Sequence, residues 1–147
     1  MILQRFYNEQ LAQASFLLGC PETHDAIVID PNREIEKYLD AAKASELKIV
    51  AVTETHIHAD FLSGSRELAK LVGAKLYLSG EGGKDWRYGF VSDGNVKELK
   101  EGDSIQIGKL RLDRLVARLI SLPAFGVLSV NGAGAQALAI NRTSPTP

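Results

Sequence analysis

The residues best suited to chemistry lie in one short segment, THIHAD at 55–60. His56, His58 and Asp60 occupy positions i, i+2 and i+4, and the segment holds two of the three histidines of the chain. In an extended or loop backbone this spacing places all three side chains on one side. Neutral imidazole nitrogens and a carboxylate oxygen suit Zn(II) or Fe(II), whereas Ca(II) and Mg(II) prefer oxygen ligands alone. The pattern predicts a metal site, and the alternative is a polar loop whose histidines hydrogen-bond to the backbone.

The elements around this segment predict an α/β fold. The motif directly follows the apolar, β-branched run 49–53, and ligands of α/β sheets bind beyond the carboxyl ends of strands. Apolar residues at helical spacing predict helices at 33–46 and 63–72, the second with Gly73 as its C-terminal cap. Further strands are predicted at 2–6, 12–18, 26–29 and 75–79. Alternating strands and helices indicate a sheet buried beneath helices.

The last strands predicted before residue 114 form a group of their own. The segments 96–99, 104–108 and 109–113 have strand-like composition, and the first two are joined by the turn sequence KEGD. Short strands joined by tight turns are typical of an antiparallel meander, which is the arrangement predicted here.

Composition excludes several classes of protein. The chain has 147 residues, 45% of them hydrophobic, and a net charge of −1, which suits one globular domain with no bulk attraction to nucleic acid or to anionic membranes. One cysteine cannot form an internal disulfide, and the N-terminal sequence lacks the pattern of a signal peptide. We therefore expect a cytoplasmic protein without nucleic-acid or membrane partners.

The charge distribution divides the chain at residue 113. Every acidic residue lies at or before Asp113, and beyond Arg114 only Arg118 and Arg142 are charged. We therefore expect two pieces, a domain-like segment at 1–113 and an atypical, charge-poor tail at 114–147.

The sequence VTETHIHADFLSGSRELA at 52–69 resembles the signature of the metallo-β-lactamase superfamily, which is HxHxDH followed by a helix. Within it, the chain is most similar to the persulfide dioxygenase-like branch, which is related to glyoxalase II and often fused to rhodanese domains. The flanking sequences AIVIDP at 26–31 and GAKLYLSGEGG at 73–83 agree with this resemblance, which covers residues 1–113. It implies a metallo-β-lactamase-like αββα sandwich of the α/β (α+β) class, of which this chain carries the first half and is incomplete.

The resemblance also implies a site and an activity. His56 becomes a metal ligand, His58 a ligand or its neighbour, and Asp60 the carboxylate that holds a second metal in two-metal members. Phe61 stands where those members carry histidine, and because phenylalanine has no donor atom, a single metal is implied. The implied reaction is oxidation of glutathione persulfide or another thiol persulfide to sulfite at mononuclear Fe(II). The alternative is a zinc-dependent thioester hydrolase of the glyoxalase II (hydroxyacylglutathione hydrolase) type.

The ligands expected later in the family are missing from this sequence. No histidine follows His58 and no acidic residue follows Asp113, so no complete ligand set can be assembled. A third reading is therefore a catalytically dead half-domain, produced by truncation or a frameshift after codon 113. Family motifs in the other reading frames of the DNA would support that origin. Half a sandwich also predicts exposed apolar surface and self-association, so that a homo-oligomer is an open alternative.

Six other residues carry narrower expectations. Asp30 ends a strand and should brace the backbone beside the metal loop rather than bind the metal. His24 is predicted to be a solvated turn residue, and Cys20 a small packing residue. The aromatic residues of loop 80–90 are expected to anchor that loop, with a substrate entrance as the alternative: Trp86, Tyr88 and Phe90.

Overall fold

The computed structural model describes residues 1–81, 87–116 and 126–131. They form nine strands and two helices. The strands are β1 (Ile2–Asn8), β2 (Gln13–Gly19), β3 (Asp25–Ile29), β4 (Lys48–Thr53), β5 (Lys75–Ser79), β6 (Val96–Leu99), β7 (Ser104–Ile107), β8 (Leu110–Val116) and β9 (Gly126–Asn131). The helices are α1 (Glu36–Ala44) and α2 (Ser65–Val72). Both helices and the first five strands lie where the sequence predicts them, within a few residues at each end.

Six strands form one mixed sheet in the order β1-β2-β3-β4-β5-β6. The first three strands are antiparallel neighbours, whereas β3, β4, β5 and β6 run parallel to one another. The parallel strands require crossover connections, and α1 and α2 provide the first two. The carboxyl ends of β3 and β4 therefore lie side by side, which brings Asp30 next to the segment after Thr53.

The helices cover one face of this sheet because both carry an apolar side. Tyr38 of α1 and Leu68 of α2 are fully buried among apolar side chains of the sheet. α2 ends as predicted at Gly73, whose φ of +68° lies in the left-handed region that favours glycine.

A second sheet covers part of the other face. It has the order β7-β8-β9, with antiparallel pairing throughout. Apolar residues of β7 and β8, such as Ile105 and Leu112, pack against Phe16 and Ile27 of the large sheet. The described layers are thus helices, large sheet and small sheet, which confirms the α/β class. The second helical layer of an αββα sandwich is not found among the described residues.

The predicted meander is wrong for its first strand. β6 pairs in parallel with β5 and belongs to the large sheet, whereas only β7 and β8 form the predicted antiparallel pair. At the 100–103 turn, the Asp103 amide donates to the Lys100 carbonyl at 3.0 Å. The strand before this turn, β6, belongs to the large sheet, and the strand after it, β7, belongs to the small sheet. Leu99, at the end of β6, is buried in the core between the two sheets.

The boundary at residue 113 falls inside a strand. β8 continues to Val116, and β9, within the predicted tail at 114–147, pairs with it from Arg111↔Asn131 to Val116↔Gly126. The rest of the tail, 117–125 and 132–147, lies outside the described residues. The division into two pieces remains a prediction. Among the described helices, neither is long and apolar enough to cross a membrane.

Candidate metal centre

The THIHAD segment leaves the large sheet at the end of β4 and runs as a loop to the start of α2. Parallel pairing with β3 places the start of this loop beside Asp30, and the Asp30 amide donates to the Thr53 carbonyl at 2.9 Å. The candidate site therefore lies at the carboxyl edge of the sheet, as the sequence predicts.

Asp30 holds the beginning of the loop through its buried carboxylate. Oδ1 accepts a hydrogen bond from the Thr55 amide at 2.7 Å, and Oδ2 accepts one from the Thr55 hydroxyl at 2.7 Å. Oδ1 also lies 3.0 Å from Nε2 of His58. The expectation that Asp30 braces the backbone beside the loop agrees with these contacts, and they add the orientation of one imidazole.

The contact with Asp30 decides which nitrogen of His58 carries the proton. A carboxylate only accepts hydrogen bonds, so Nε2 carries the proton and, in the neutral ring, Nδ1 carries the lone pair. The His58 side chain is only 3% exposed, and its Nδ1 is a buried atom with no hydrogen-bond partner. Buried polar atoms are almost always paired, and a carboxylate on the far nitrogen is the usual partner of a metal-binding histidine. His58 therefore fits a metal ligand that binds through Nδ1.

A similar argument applies to His56. The Thr55 hydroxyl has a single proton and donates it to Asp30, so the Thr55 oxygen can only accept from Nδ1 of His56, which is 2.9 Å away. In the neutral ring this leaves the lone pair of His56 on Nε2. The two imidazole rings lie side by side with their centroids 4.3 Å apart. The structure thus brings together both predicted histidines, each with its tautomer fixed by Asp30.

The third predicted ligand is not part of a convergent group. Asp60 is exposed, and the described residues contain no set of three histidine, cysteine, aspartate or glutamate side chains placed to hold a metal ion. Phe61 packs against His58, with ring centroids 4.3 Å apart. The side chains present therefore fit two ligands of a metal site, and the role of Asp60 remains a prediction.

A second buried carboxylate, Glu54, was not predicted from the sequence. Its side chain accepts hydrogen bonds from the hydroxyls of Ser63, Ser65 and Tyr88, with 2.5 Å separating Ser65 Oγ and Glu54 Oε1. Burial raises the pKa of Glu54, while the serine hydroxyls oppose that shift. The available signal was a glutamate directly after the apolar strand IVAVT, followed by serines on either side of Gly64.

The segment after the undescribed residues 82–86 packs beside this carboxylate. Tyr88 bonds to Glu54, and Tyr88 and Phe90 pack against the core beneath the helices. Arg66 of α2 stacks over the Phe90 ring at 4.8 Å and pairs with Asp93 at 3.0 Å. Tyr88 and Phe90 therefore anchor their loop as predicted, whereas Trp86 lies outside the described residues.

A buried polar network supports the turn at 30–32. Gln13 Nε2 donates to the Asp30 carbonyl at 2.7 Å, and its side-chain oxygen accepts from Asn32 at 3.1 Å. The Tyr38 hydroxyl lies 2.6 Å from Ser15 Oγ and accepts from the Asn32 amide at 3.0 Å. These contacts hold the backbone of the turn that carries Asp30. The φ of Asp30 is +51°, which is unusual for a residue other than glycine.

The remaining predicted residues have structural surroundings. His24 is exposed in a turn, as predicted, and its Nδ1 lies 2.9 Å from the Glu46 carbonyl. Cys20 is buried among the apolar residues between the sheets, which agrees with a packing role. Hydrogen bonds from the Lys109 backbone and from Thr23 lower the pKa of its thiol to about 7.

The chain is similar in sequence to curated proteins of two kinds. A hydroxyacylglutathione hydrolase of Polaromonas sp. is 34% identical over 110 residues, which are 74% of this chain and 39% of the relative. The mitochondrial persulfide dioxygenase ETHE1 of Bos taurus is 28% identical over 117 residues, covering 77% of this chain and 42% of the relative. The chain thus spans about two-fifths of the length of the curated relatives it matches.

Solved structures share the fold. A metallo-beta-lactamase from Staphylococcus aureus subsp. aureus COL superposes with a TM-score of 0.84 at 34% identity, covering 93% of this chain and 40% of that one. ETHE1 from Myxococcus xanthus superposes with a TM-score of 0.67 at 26% identity, covering 78% of this chain and 48% of that one. Residues 9–131 match the family described as the metallo-beta-lactamase superfamily. This range includes every described strand except β1, both helices, and the loop at 54–64 that carries His56 and His58, called the histidine loop below. The chain therefore belongs to the metallo-β-lactamase superfamily.

Proposed function

We propose that this chain carries the histidine half of a mononuclear Fe(II) site of the persulfide dioxygenase type. The single observation that supports this most directly is the orphaned Nδ1 of His58, buried beside the ring of His56 and oriented by Asp30. Similarity to persulfide dioxygenases over 77% of the chain supports the same proposal.

His56 and His58 would hold the metal through Nε2 and Nδ1. Fe(II) with open coordination positions supplies the redox chemistry that joins O2 to a sulfur substrate. The balanced reaction is thiol persulfide plus O2 plus water giving thiol, sulfite and two protons, so the outer sulfur is oxidised and O2 is reduced. The substrate proposed is glutathione persulfide or another thiol persulfide.

The residues of this chain contribute orientation and the shape of the surroundings. Asp30 fixes both imidazole tautomers before any metal arrives, which lowers the cost of organising the ligands. Phe61 packs its aromatic ring against His58. Two-metal relatives carry a histidine at the position of Phe61, and phenylalanine has no atom that could bind the second metal. A single metal is therefore the expected stoichiometry.

Metal analysis of the purified full chain is the first experiment. We expect iron at one atom per chain after anaerobic loading with Fe(II), and loss of that iron in His56→Ala and His58→Ala. His24→Ala is the matched control because His24 is the remaining histidine and lies in an exposed turn. Because later family ligands are absent from the sequence, we expect weaker affinity than a complete ligand set provides. No bound metal at all would favour the dead half-domain.

Oxygen consumption with glutathione persulfide tests the reaction. We expect a rate in the iron-loaded chain that is abolished in His56→Ala and retained in His24→Ala. A rate unaffected by His56→Ala would contradict a role for this loop.

A second candidate is zinc-dependent hydrolysis of a hydroxyacyl thioester of glutathione. The supporting observation is the 34% identity to a hydroxyacylglutathione hydrolase. Zn(II) activates water for attack on the thioester carbonyl, and Phe61 counts against this candidate because it cannot bind a second metal. Stoichiometric zinc with thioester hydrolysis and no oxygen consumption would favour it over persulfide oxidation.

A further inference from the structure

The Glu54 carboxylate joins three separate parts of the chain. It lies at the start of the histidine loop, and its hydrogen-bond donors come from the end of that loop at Ser63, from α2 at Ser65, and from the separate segment at Tyr88. Burial of a carboxylate is costly unless its oxygens are satisfied, and here three hydroxyls satisfy them. An apolar side chain would fill the same space at lower cost, so the carboxylate needs a reason beyond packing.

Through its hydrogen bonds with the two serines, the Glu54 carboxylate links the start of the histidine loop to its end. The Ser65 amide donates to Ser63 Oγ at 3.0 Å, and the Gly64 amide donates to the Pro31 carbonyl at 3.0 Å. Asp30 holds the loop at Thr55 and Glu54 holds it at Ser63 and Ser65, so the loop between them is tied at its start and at its end. His56 and His58 lie within this closed segment.

Tyr88 extends the arrangement to another segment. Its hydroxyl donates to Oε2 of Glu54, whereas the serines donate to Oε1, so the two oxygens have different donors. The contacts of Arg66 with Phe90 and Asp93 hold the same segment against α2.

From these contacts we infer that Glu54 and Tyr88 are positioning residues for the His56–His58 pair. Glu54 sets the conformation of the histidine loop, and the Tyr88 hydroxyl holds the Glu54 carboxylate in place. This inference rests on the proposed metal site, and it assigns a role to two residues outside the HxHxD motif.

The experiment measures Co(II) affinity of the full chain by absorption titration, with Tyr88→Phe and Glu54→Gln as test variants. Tyr88→Phe removes one hydroxyl and keeps the ring, and Glu54→Gln keeps the shape and replaces one acceptor oxygen with an NH2 group, which cannot accept a hydrogen bond. Tyr77→Phe is the matched control, because Tyr77 packs against the opposite core, between the sheets. Ser65→Ala removes a different donor to Glu54 and serves as a second test if Tyr88→Phe does not fold. Far-UV circular dichroism and thermal unfolding verify the fold of each variant.

We expect the dissociation constant for Co(II) to rise about tenfold or more in Tyr88→Phe and Glu54→Gln, with an altered Co(II) spectrum, and to stay unchanged in Tyr77→Phe. Equal affinity and an equal spectrum in all variants would overturn the inference and leave the proposed metal site standing. If the parent chain binds no Co(II), the proposed function fails, and hydrogen exchange of the peptide 54–66 without metal becomes the readout. Exchange about fivefold faster in Tyr88→Phe than in Tyr77→Phe then supports loop positioning by Tyr88, and equal exchange overturns it.

Discussion

At the scale of single residues, Asp30 contacts both the backbone and a histidine of the candidate site. Its carboxylate accepts from the amide and hydroxyl of Thr55 and contacts His58. Asp30 also has a φ of +51°, a region that asparagine and aspartate adopt more readily than other residues with a side chain. Asparagine is therefore the substitution that tests the carboxylate without adding backbone strain.

We expect Asp30→Asn to lower the free energy of unfolding by about 2 kcal/mol, because an amide cannot accept all three buried hydrogen bonds. Affinity for a divalent metal should also fall about tenfold or more, since the tautomers of both histidines lose their common acceptor. Urea unfolding and Co(II) titration measure the two effects. Asp40→Asn is the control, because Asp40 is exposed on α1 and its substitution should change stability by no more than about 0.5 kcal/mol. Equal stability of the two variants would refute the bracing role of Asp30.

Tyr38 gives a pH dependence with a defined sign. Burial raises the pKa of its phenol above the ordinary value of 10.0. Above pH 10 the unfolded chain releases this proton while the folded chain keeps it, so the free energy of unfolding falls as pH rises, by up to about 1.4 kcal/mol per pH unit. Below pH 10 both states hold the proton and this contribution is constant. Urea unfolding of the parent chain and Tyr38→Phe between pH 8 and 11 measures the difference, and parallel curves would contradict it.

At the scale of elements, α2 starts where the chain passes very close to the turn at 30–32. A β-carbon built on Gly64 would lie 2.3 Å from the Asn32 carbonyl oxygen and 2.8 Å from Cγ2 of Ile35. The first of these is a backbone atom, which cannot turn aside as a side chain can. The absence of a side chain at Gly64 is thus what lets the end of the histidine loop reach the Asp30 turn.

We expect Gly64→Ala to destabilise the protein by about 2 kcal/mol through this overlap and to weaken metal binding because the loop end moves. Gly94→Ala is the matched control, since a β-carbon at Gly94 meets nothing within 4 Å and should change stability by no more than about 0.5 kcal/mol. Thermal and urea unfolding of both variants measure the effect. A stable Gly64→Ala would show that the close approach can relax at little cost.

Local patterns in the sequence predicted most of the elements but not the partner of β6. An apolar run and a KEGD turn fit a hairpin and a crossing between sheets equally well, since both need a tight reversal of the chain. The choice depends on β5, which offers β6 a parallel edge some twenty residues earlier in the sequence. Long-range pairing of this kind leaves no periodic signal in the strand itself.

The same limit applies to the candidate site. His56, His58 and Asp30 were found because they lie in or next to a recognisable motif, and the structure places them in contact. Glu54 was missed because its donor Tyr88 is 34 residues away in the sequence and the serines resemble ordinary helix-start residues. The network of Gln13, Asn32 and Tyr38 was missed for the same reason, as its members come from three different elements.

At the scale of the whole molecule, the face of the large sheet that meets the small sheet extends to the exposed edge strand β1. Leu3 pairs with Leu18 and Tyr7 with Ala14, so these side chains share the face of the core between the sheets. Leu3 is nevertheless 40% exposed and Tyr7 53% exposed, with Leu11 nearby in sequence at 41%. Arg5 lies between the first two and stacks over the Tyr7 ring at 4.7 Å.

We expect this exposed face to cause self-association that grows with protein concentration, because contiguous apolar surface favours burial against a second molecule. The double variant Leu3→Lys with Tyr7→Lys should remain monomeric at concentrations where the parent chain does not. Leu71→Lys is the control, since Leu71 is 62% exposed on α2, away from this face. Sedimentation velocity distinguishes these outcomes, and a parent chain that stays monomeric throughout would contradict the expectation.

The pairing of β8 with β9 has a consequence for the change in sequence character at residue 113. The ladder from Arg111↔Asn131 to Val116↔Gly126 is made by main-chain amides and carbonyls, which every residue except proline supplies alike. Pairing of this kind therefore requires an extended backbone and tolerates wide variation in side chains. A metal site has the opposite requirement, because one imidazole cannot be replaced by a different side chain. The strand pairing thus tolerates far more sequence change than a metal site does. A chain can therefore keep its sheets in a segment that contains no metal-binding side chains.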